Sequence, residues 1–241
     1  MRKLFLYAAM VLLMLSGLAQ ATLTTIGTAE YNGGTYNLIW DDDNNGKSLV
    51  WLDYSNTGNW EAQRSWASSL DTALSVTWNA GVSVTWTDAS WRLPNTVDGV
   101  WKEGYEGPDG NGNYDYTVGY NLFNSEMGHL YYEELGNLGR IDTDGNYPQP
   151  GWGLNNTGDF INLIDRLWYW SGTEFTYDPP DVWGFSMLDG GQGGFTRTNV
   201  VYGLAVRSGQ VSLVPIPGAI ILLGSGLLWV VGIGRKSRRD V

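Results

Sequence analysis

The chain has 241 residues, with 14 Lys and Arg against 25 Asp and Glu, one His and no Cys. Without cysteine there are no disulfides and no thiol chemistry, and a single histidine excludes a His-based zinc site. The formal net charge of −11 argues against nucleic acid as a partner, because that needs a positive footprint.

Arg2-Lys3 precedes an apolar run from Leu4 to Leu15, and Ser16-Gly17-Leu18-Ala19-Gln20-Ala21 follows. A positive start, a short apolar stretch and an A-x-A site ending at Ala21 predict a secretory signal peptide over residues 1–21. Export without disulfides suits a bacterial surface.

Residues 22–213 then read as one domain, with 12 of the 13 Trp available to build its core. Thr35–Trp40 and Ser48–Leu52 are rich in β-formers and flank Asp41-Asp42-Asp43-Asn44-Asn45-Gly46, which predicts a hairpin with an acidic turn. Trp60, Ala62, Trp66, Ala67, Leu70, Ala73 and Leu74 recur at helical spacing behind Asn59 as N-cap. Val82–Trp86 alternates like a strand. A second helix is expected over Ser125–Leu135, capped by Ser125 and ended by Gly136. Trp168–Trp170, Val182–Met187 and Val201–Val206 read as strands, with Trp183, Phe185 and Met187 on one face. Long polar loops, 98–120 and 140–158, separate these elements. Arg92, within Trp91-Arg92-Leu93-Pro94, requires a carboxylate partner if buried.

From Ile216 to Gly234 the chain carries no charge, and Arg235, Lys236, Arg238 and Arg239 follow. At about 1.5 Å per residue such a helix spans roughly 28 Å, close to a hydrocarbon core of about 30 Å. This predicts a transmembrane helix over 216–234, with the basic tail on the cytoplasmic side and the domain outside. Six of the 14 Lys and Arg lie in the two ends, as does Asp240 of the 25 acidic residues, so the part between carries a net charge near −16.

Two resemblances add to this reading. Val214-Pro215-Ile216-Pro217-Gly218-Ala219, the apolar span and the basic end resemble a PEP-CTERM sorting signal over residues 214–241, with Pro215-Ile216-Pro217 where that class has Pro-Glu-Pro. The resemblance implies membrane insertion through the C-terminal helix and processing by an exosortase-type enzyme. Leu49-Val50-Trp51-Leu52-Asp53, Trp91-Arg92-Leu93-Pro94, Tyr169-Trp170-Ser171-Gly172-Thr173, Trp183-Gly184-Phe185 and Leu204-Ala205-Val206-Arg207 resemble, in this order, the Lcl C-terminal domain family. That resemblance implies an α+β, C-type-lectin-like domain with two helices and short, mostly antiparallel strands. It also implies a non-catalytic exported protein of the cell surface or extracellular matrix that binds extracellular polysaccharide. An architectural envelope or biofilm protein without a small ligand is the alternative, and a polysaccharide hydrolase a third reading.

Trp101, Tyr105, Tyr114, Tyr116, Tyr120, Tyr147 and Trp152 lie in the long Gly/Asp/Asn loops. Their rings suit sugar faces while neighbouring Asn and Asp suit hydroxyls, against the alternative that they anchor the loops. Asp41 and Asp43, Asp109 in Asp-Gly-Asn-Gly-Asn, and Asp142 and Asp144 in Asp-Thr-Asp-Gly-Asn offer oxygens for weak calcium binding. The first of these runs has Leu52 where an EF-hand loop needs a bidentate Glu, which favours a plain hairpin turn. No catalytic residue stands out: His129 lacks a matched nucleophile and reads as a satisfied structural histidine, and Glu133 and Glu134 are two acids among many.

Overall fold

β1 (Leu23–Tyr31), β2 (Gly34–Asn44) and β3 (Lys47–Gly58) form an antiparallel meander closed by two Asn-Gly turns. Asn32-Gly33 and Asn45-Gly46 all have positive φ, between 48° and 77°. Asn and Gly tolerate that conformation best, and it matches the twist of the flanking strands. The computed structural model describes residues 23–166 and 168–213. The signal peptide expected over 1–21 with its cleavage site at Ala21, the sorting motif at Pro215 and Pro217, and the span expected over 216–234 lie outside them. Among the described residues no helix is long and apolar enough to cross a membrane.

After the meander, α1 (Trp60–Ala73) starts where Asn59 accepts the Ala62 N–H at 2.9 Å, as its capping position predicts. It buries Trp60, Gln63, Trp66, Ala67 and Leu70. β4 (Ser75–Trp78) and β5 (Val82–Trp86) follow, then two-residue bridges β6 (Glu103–Gly104) and β7 (Val118–Gly119) within the long loop. α2 (Glu126–His129), capped by Ser125, runs into a π-helical turn over Leu130–Glu134. The chain ends in β8 (Trp168–Glu174), β9 (Asp181–Ser186), β10 (Gln192–Thr196) and β11 (Val201–Leu213).

These strands make one mixed sheet in the order β4-β1-β2-β3-β11-β8-β9-β10-β7-β6, with β5 paired to the far end of β11. Only β11–β8 and β6–β7 are parallel pairs. Its centre is covered on both faces. Leu38, Val50, Leu52 and Ala205 face α1 together with Trp60, Trp66, Trp91 and Trp170. Their neighbours Ile39, Leu49, Trp51, Leu204 and Val206 face α2, with Phe160, Tyr169 and Phe185. Alternate residues of a strand point to opposite faces, so a strand buried on both sides must be apolar throughout, and Leu49-Val50-Trp51-Leu52 is.

The expected α+β, C-type-lectin-like architecture is therefore corrected. Strand makes up 42% of the structure and helix 12%, in an eleven-stranded sheet whose inner strands run to 13 residues and are not short. The second helix is present where expected, over 126–134 behind Ser125, with its last turn widened into a π-helix. Three strands that weak apolar patterns conceal, β1, β4 and β10, complete the sheet on either side of the centre. The acidic turn also contracts: Asp41 to Asn44 belong to β2, and only Asn45-Gly46 turns the chain.

Candidate functional site

At the β10-β7-β6 end of the sheet lies a cleft of about 800 Å³ whose walls include Trp101, Tyr105, Tyr120, Trp168 and Phe195. Its floor is formed by the glycines of β10 and the residue before it. A Cβ on Gly193 would sit 3.6 Å from Trp168 Cη2 and 4.0 Å from Trp101 Cη2, and one on Gly194 would sit 3.6 Å from Trp101 Cζ3. The two indoles thus flank a strip of bare backbone. Glycine within a strand marks places where something approaches the main chain closely.

The walls differ in how firmly they are held. Trp168 meets Phe195 edge-on at 5.3 Å, and Phe195 stacks on the buried Trp170 at 4.4 Å, so this wall is braced by the core. Trp101 is 45% exposed; its indole N–H donates to Glu103 Oε1 at 3.2 Å, and its ring lies 6.1 Å from Phe175. Tyr120 donates its hydroxyl to Asp189 Oδ2 at 3.2 Å. Burial and the nearby Asp189 carboxylate push its phenol up to about 12, so it stays neutral.

Gln192, almost fully buried, lines the same cleft. Its Nε2 donates to the Thr117 carbonyl at 3.0 Å, while Oε1 is buried with no hydrogen-bond partner. An orphaned buried acceptor costs about 1–3 kcal/mol. Glu103, Glu106 and Asn199 add polar groups along the rim. The combination suits a flat-faced molecule with hydroxyl edges.

Of the residues expected to contact sugar, Trp101, Tyr105 and Tyr120 come together here. Tyr114 and Tyr116 instead line a neighbouring polar hollow of about 630 Å³. Tyr116 is buried there as a loop anchor, its hydroxyl accepting the Gly107 N–H and donating to the Tyr120 carbonyl, both at 2.8 Å. Tyr114 likewise accepts the Phe123 N–H at 3.0 Å. Tyr147 and Trp152 line neither cavity; they flank Arg140, whose guanidinium carbon is 4.7 and 5.1 Å from their ring centres. Trp168, Phe195 and Gln192 escaped the sequence reading. The run Gly190-Gly191-Gln192-Gly193-Gly194 is the signal that would have found them.

The acidic residues considered for calcium are scattered. Asp109 accepts the N–H groups of Asn111 and Asn113, and Asp142 those of Asp144 and Asn146, so both carboxylates close their own loops. Asp43 accepts the Gly46 N–H across the hairpin turn. Asp41 points inward, bonded by Asn44 Nδ2 at 2.8 Å and Trp51 Nε1 at 3.1 Å. Among the described residues, no three His, Asp or Glu side chains gather as a metal ion would require.

Asp41 belongs instead to a buried polar cluster with Asn44, His129 and Glu134. Asp41 Oδ1, Asn44 Oδ1, both Glu134 oxygens and both His129 ring nitrogens are buried without hydrogen-bond partners. His129 is thus not the satisfied histidine expected; its Nε2 lies 3.4 Å from Glu134 Oε1, at ion-pair distance. Burial pushes the Asp41 carboxyl up to about 6, opposed by Asn44 and Trp51 and reinforced by Glu134. Burial lowers the pKa of His129, but Glu134 and Asp41 outweigh it and hold the imidazole above its ordinary value. A cluster so rich in acceptors lacks protons.

No family model, curated protein or solved structure matches the chain.

Proposed function

We propose that the domain is a non-catalytic polysaccharide-binding module of an exported surface protein, with the cleft over β10 as its sugar site. The supporting observation is the strip of bare glycine backbone at Gly193 and Gly194 flanked by Trp168 and Trp101 in an open cleft. Indole faces pack against the C–H faces of a pyranose, and Glu103, Glu106 and Asn199 offer partners for its hydroxyls. Glu103 and Glu106 at the rim, with the net charge near −16 of the part between the two ends, favour a polymer that is neutral where it crosses the cleft. The signal-like start and the sorting-type tail support the reading of a module outside the membrane, with the C-terminal helix as its first anchor and an exosortase-type enzyme as its processing partner.

The experiment is a glycan array probed with the purified protein, with and without calcium. Retention of neutral polysaccharide fragments is expected, and equal retention without calcium assigns the site to the cleft and not to the acidic loops. Failure to retain any glycan in either condition removes the proposal.

A further inference from the structure

Every Lys and Arg among the described residues except one has a carboxylate within ion-pair distance. The exception is Arg140. Its guanidinium is held between the rings of Tyr147 and Trp152, at 4.7 and 5.1 Å, and its Nε is buried with no hydrogen-bond partner. Neither terminal nitrogen makes a hydrogen bond or an ion pair. In a domain this acidic an unpaired arginine is conspicuous, because carboxylates are abundant and seven other cations have found one. The two rings hold the guanidinium while its terminal donors stay unpaired.

Arg140 also stands next to the cleft. The following residue, Ile141, lines it, the Arg140 charge acts on the Tyr120 phenol in its wall, and the Arg140 N–H donates to the carbonyl of Asp189, the residue that holds Tyr120. The acidic rim residues Glu103 and Glu106 neighbour Trp101 and Tyr105 in sequence, so the two sides of the site differ in charge.

We infer that Arg140, clamped by Tyr147 and Trp152, is a carboxylate subsite, and that the polymer bound in the cleft carries an acidic sugar residue where it leaves past Tyr120. This rests on the polysaccharide reading above and narrows it to a largely neutral polymer with spaced carboxylates, as uronate residues or pyruvate ketals. A guanidinium fork with free donors takes a carboxylate through paired hydrogen bonds, which a hydroxyl cannot match. Preorganisation by the two rings reduces the ordering that binding requires. Tyr147 and Trp152, which line no part of the cleft, thereby acquire a role in the same site.

The test is an array of oligosaccharides bearing glucuronate, galacturonate or a pyruvate ketal, each printed beside its carboxyl-reduced or ketal-free neutral counterpart and probed with the full chain. At least one pair is expected to show about tenfold preference for the acidic member. Arg140→Gln should equalise that pair while leaving the neutral member's signal unchanged, and Arg140→Lys should keep part of the preference. Tyr147→Leu, at an exposed position, should shrink the preference without removing the charge, so the outcome does not hang on one variant folding. Equal signals within every pair, or a preference that survives Arg140→Gln, overturn the inference and leave the polysaccharide reading standing. Absence of binding to both members of every pair overturns both.

Discussion

Arg92 grips Glu126 through two parallel hydrogen bonds, Nη1 to Oε2 at 2.7 Å and Nη2 to Oε1 at 3.0 Å. The pair joins the bridge between Arg92 and Val206 of β11 to the first residue of α2, and so fixes α2 against the sheet. Glu126 is 3% exposed, accepts the Asn95 N–H at 2.8 Å and is met by Lys47 at 3.2 Å. Asp88 binds the remaining Arg92 Nε at 3.0 Å. Removing the Glu126 charge leaves the largely buried Arg92 with Asp88 alone and breaks the tie to α2. Glu126→Gln is expected to lower stability by about 3 kcal/mol, measured by urea unfolding. A loss below about 0.5 kcal/mol, the scale of an exposed pair, would mean the bridge does not hold α2.

The Asp41 cluster makes a prediction about pH. The Asp41 carboxyl is raised from 3.8 to about 6, so the folded state binds its proton more tightly than the unfolded chain does. The resulting stabilisation is fully present below about pH 4 and is lost as pH rises through about 6. The shift corresponds to about 3 kcal/mol. His129, also raised, acts in the same sense at higher pH: its contribution is present below its unfolded value of about 6.5 and lost as pH climbs through the folded one. Stability should therefore decline between pH 4 and pH 7. Asp41→Asn, which supplies a donor to the orphaned acceptors without a charge, should flatten the lower part of this decline and gain stability at pH 7. Melting curves across that range would show whether the variant and the native chain diverge as pH rises; parallel profiles would contradict the assignment.

Two glycines near the cleft should respond oppositely to one added methyl. At Gly193 the nearest atom to a new Cβ is 3.6 Å away, an ordinary contact, and the space entered is the floor of the cleft. Gly193→Ala should keep its melting temperature and weaken glycan binding about tenfold, by lifting the sugar off the floor. At Gly119 a Cβ would lie 2.0 Å from the Gly104 carbonyl oxygen, on a backbone with φ of +120°. Gly119→Ala should break the β6–β7 bridge, lower the melting temperature and lose binding together. Circular dichroism melts and titration on both variants separate the two behaviours.

Much of this was legible in sequence, and what was hidden was hidden for physical reasons. Asn59 and the spacing of Trp60, Trp66 and Leu70 specify α1 because capping and a period of 3.6 are local signals. The hairpin around Asn45-Gly46 was visible for the same reason, and Asn32-Gly33 repeats its signal. β1 carries only Ile26 and Ala29 as fully buried apolar side chains, and its strand character comes from its partners β2 and β4. The second helix was bounded by local signals too, Ser125 at its start and Gly136, with φ of +62°, after its end, whereas the widening of its last turn into a π-helix has no periodic signature.

The site divides in the same way. Trp101 and Tyr105 stood out as rings in a polar loop. Trp168 did not, because Trp168-Tyr169-Trp170 reads as a packed strand and two of its three rings are indeed fully buried. Tyr116 misled in the other direction: its loop position suggested exposure, yet its hydroxyl ties two loop backbones together. Tertiary burial, not residue type, separates a binding ring from an anchoring one.

The measurement that bears most directly on the central claim is calorimetric titration of the best array glycan into the native protein and into Trp101→Ala. Trp101 is 45% exposed, so its removal should leave the fold intact and the melting temperature nearly unchanged. If the polysaccharide lies across the cleft, affinity should fall at least about fivefold with loss of the stacked ring. An unchanged affinity in a well-folded Trp101→Ala protein would place the ligand elsewhere and contradict the assignment of the cleft.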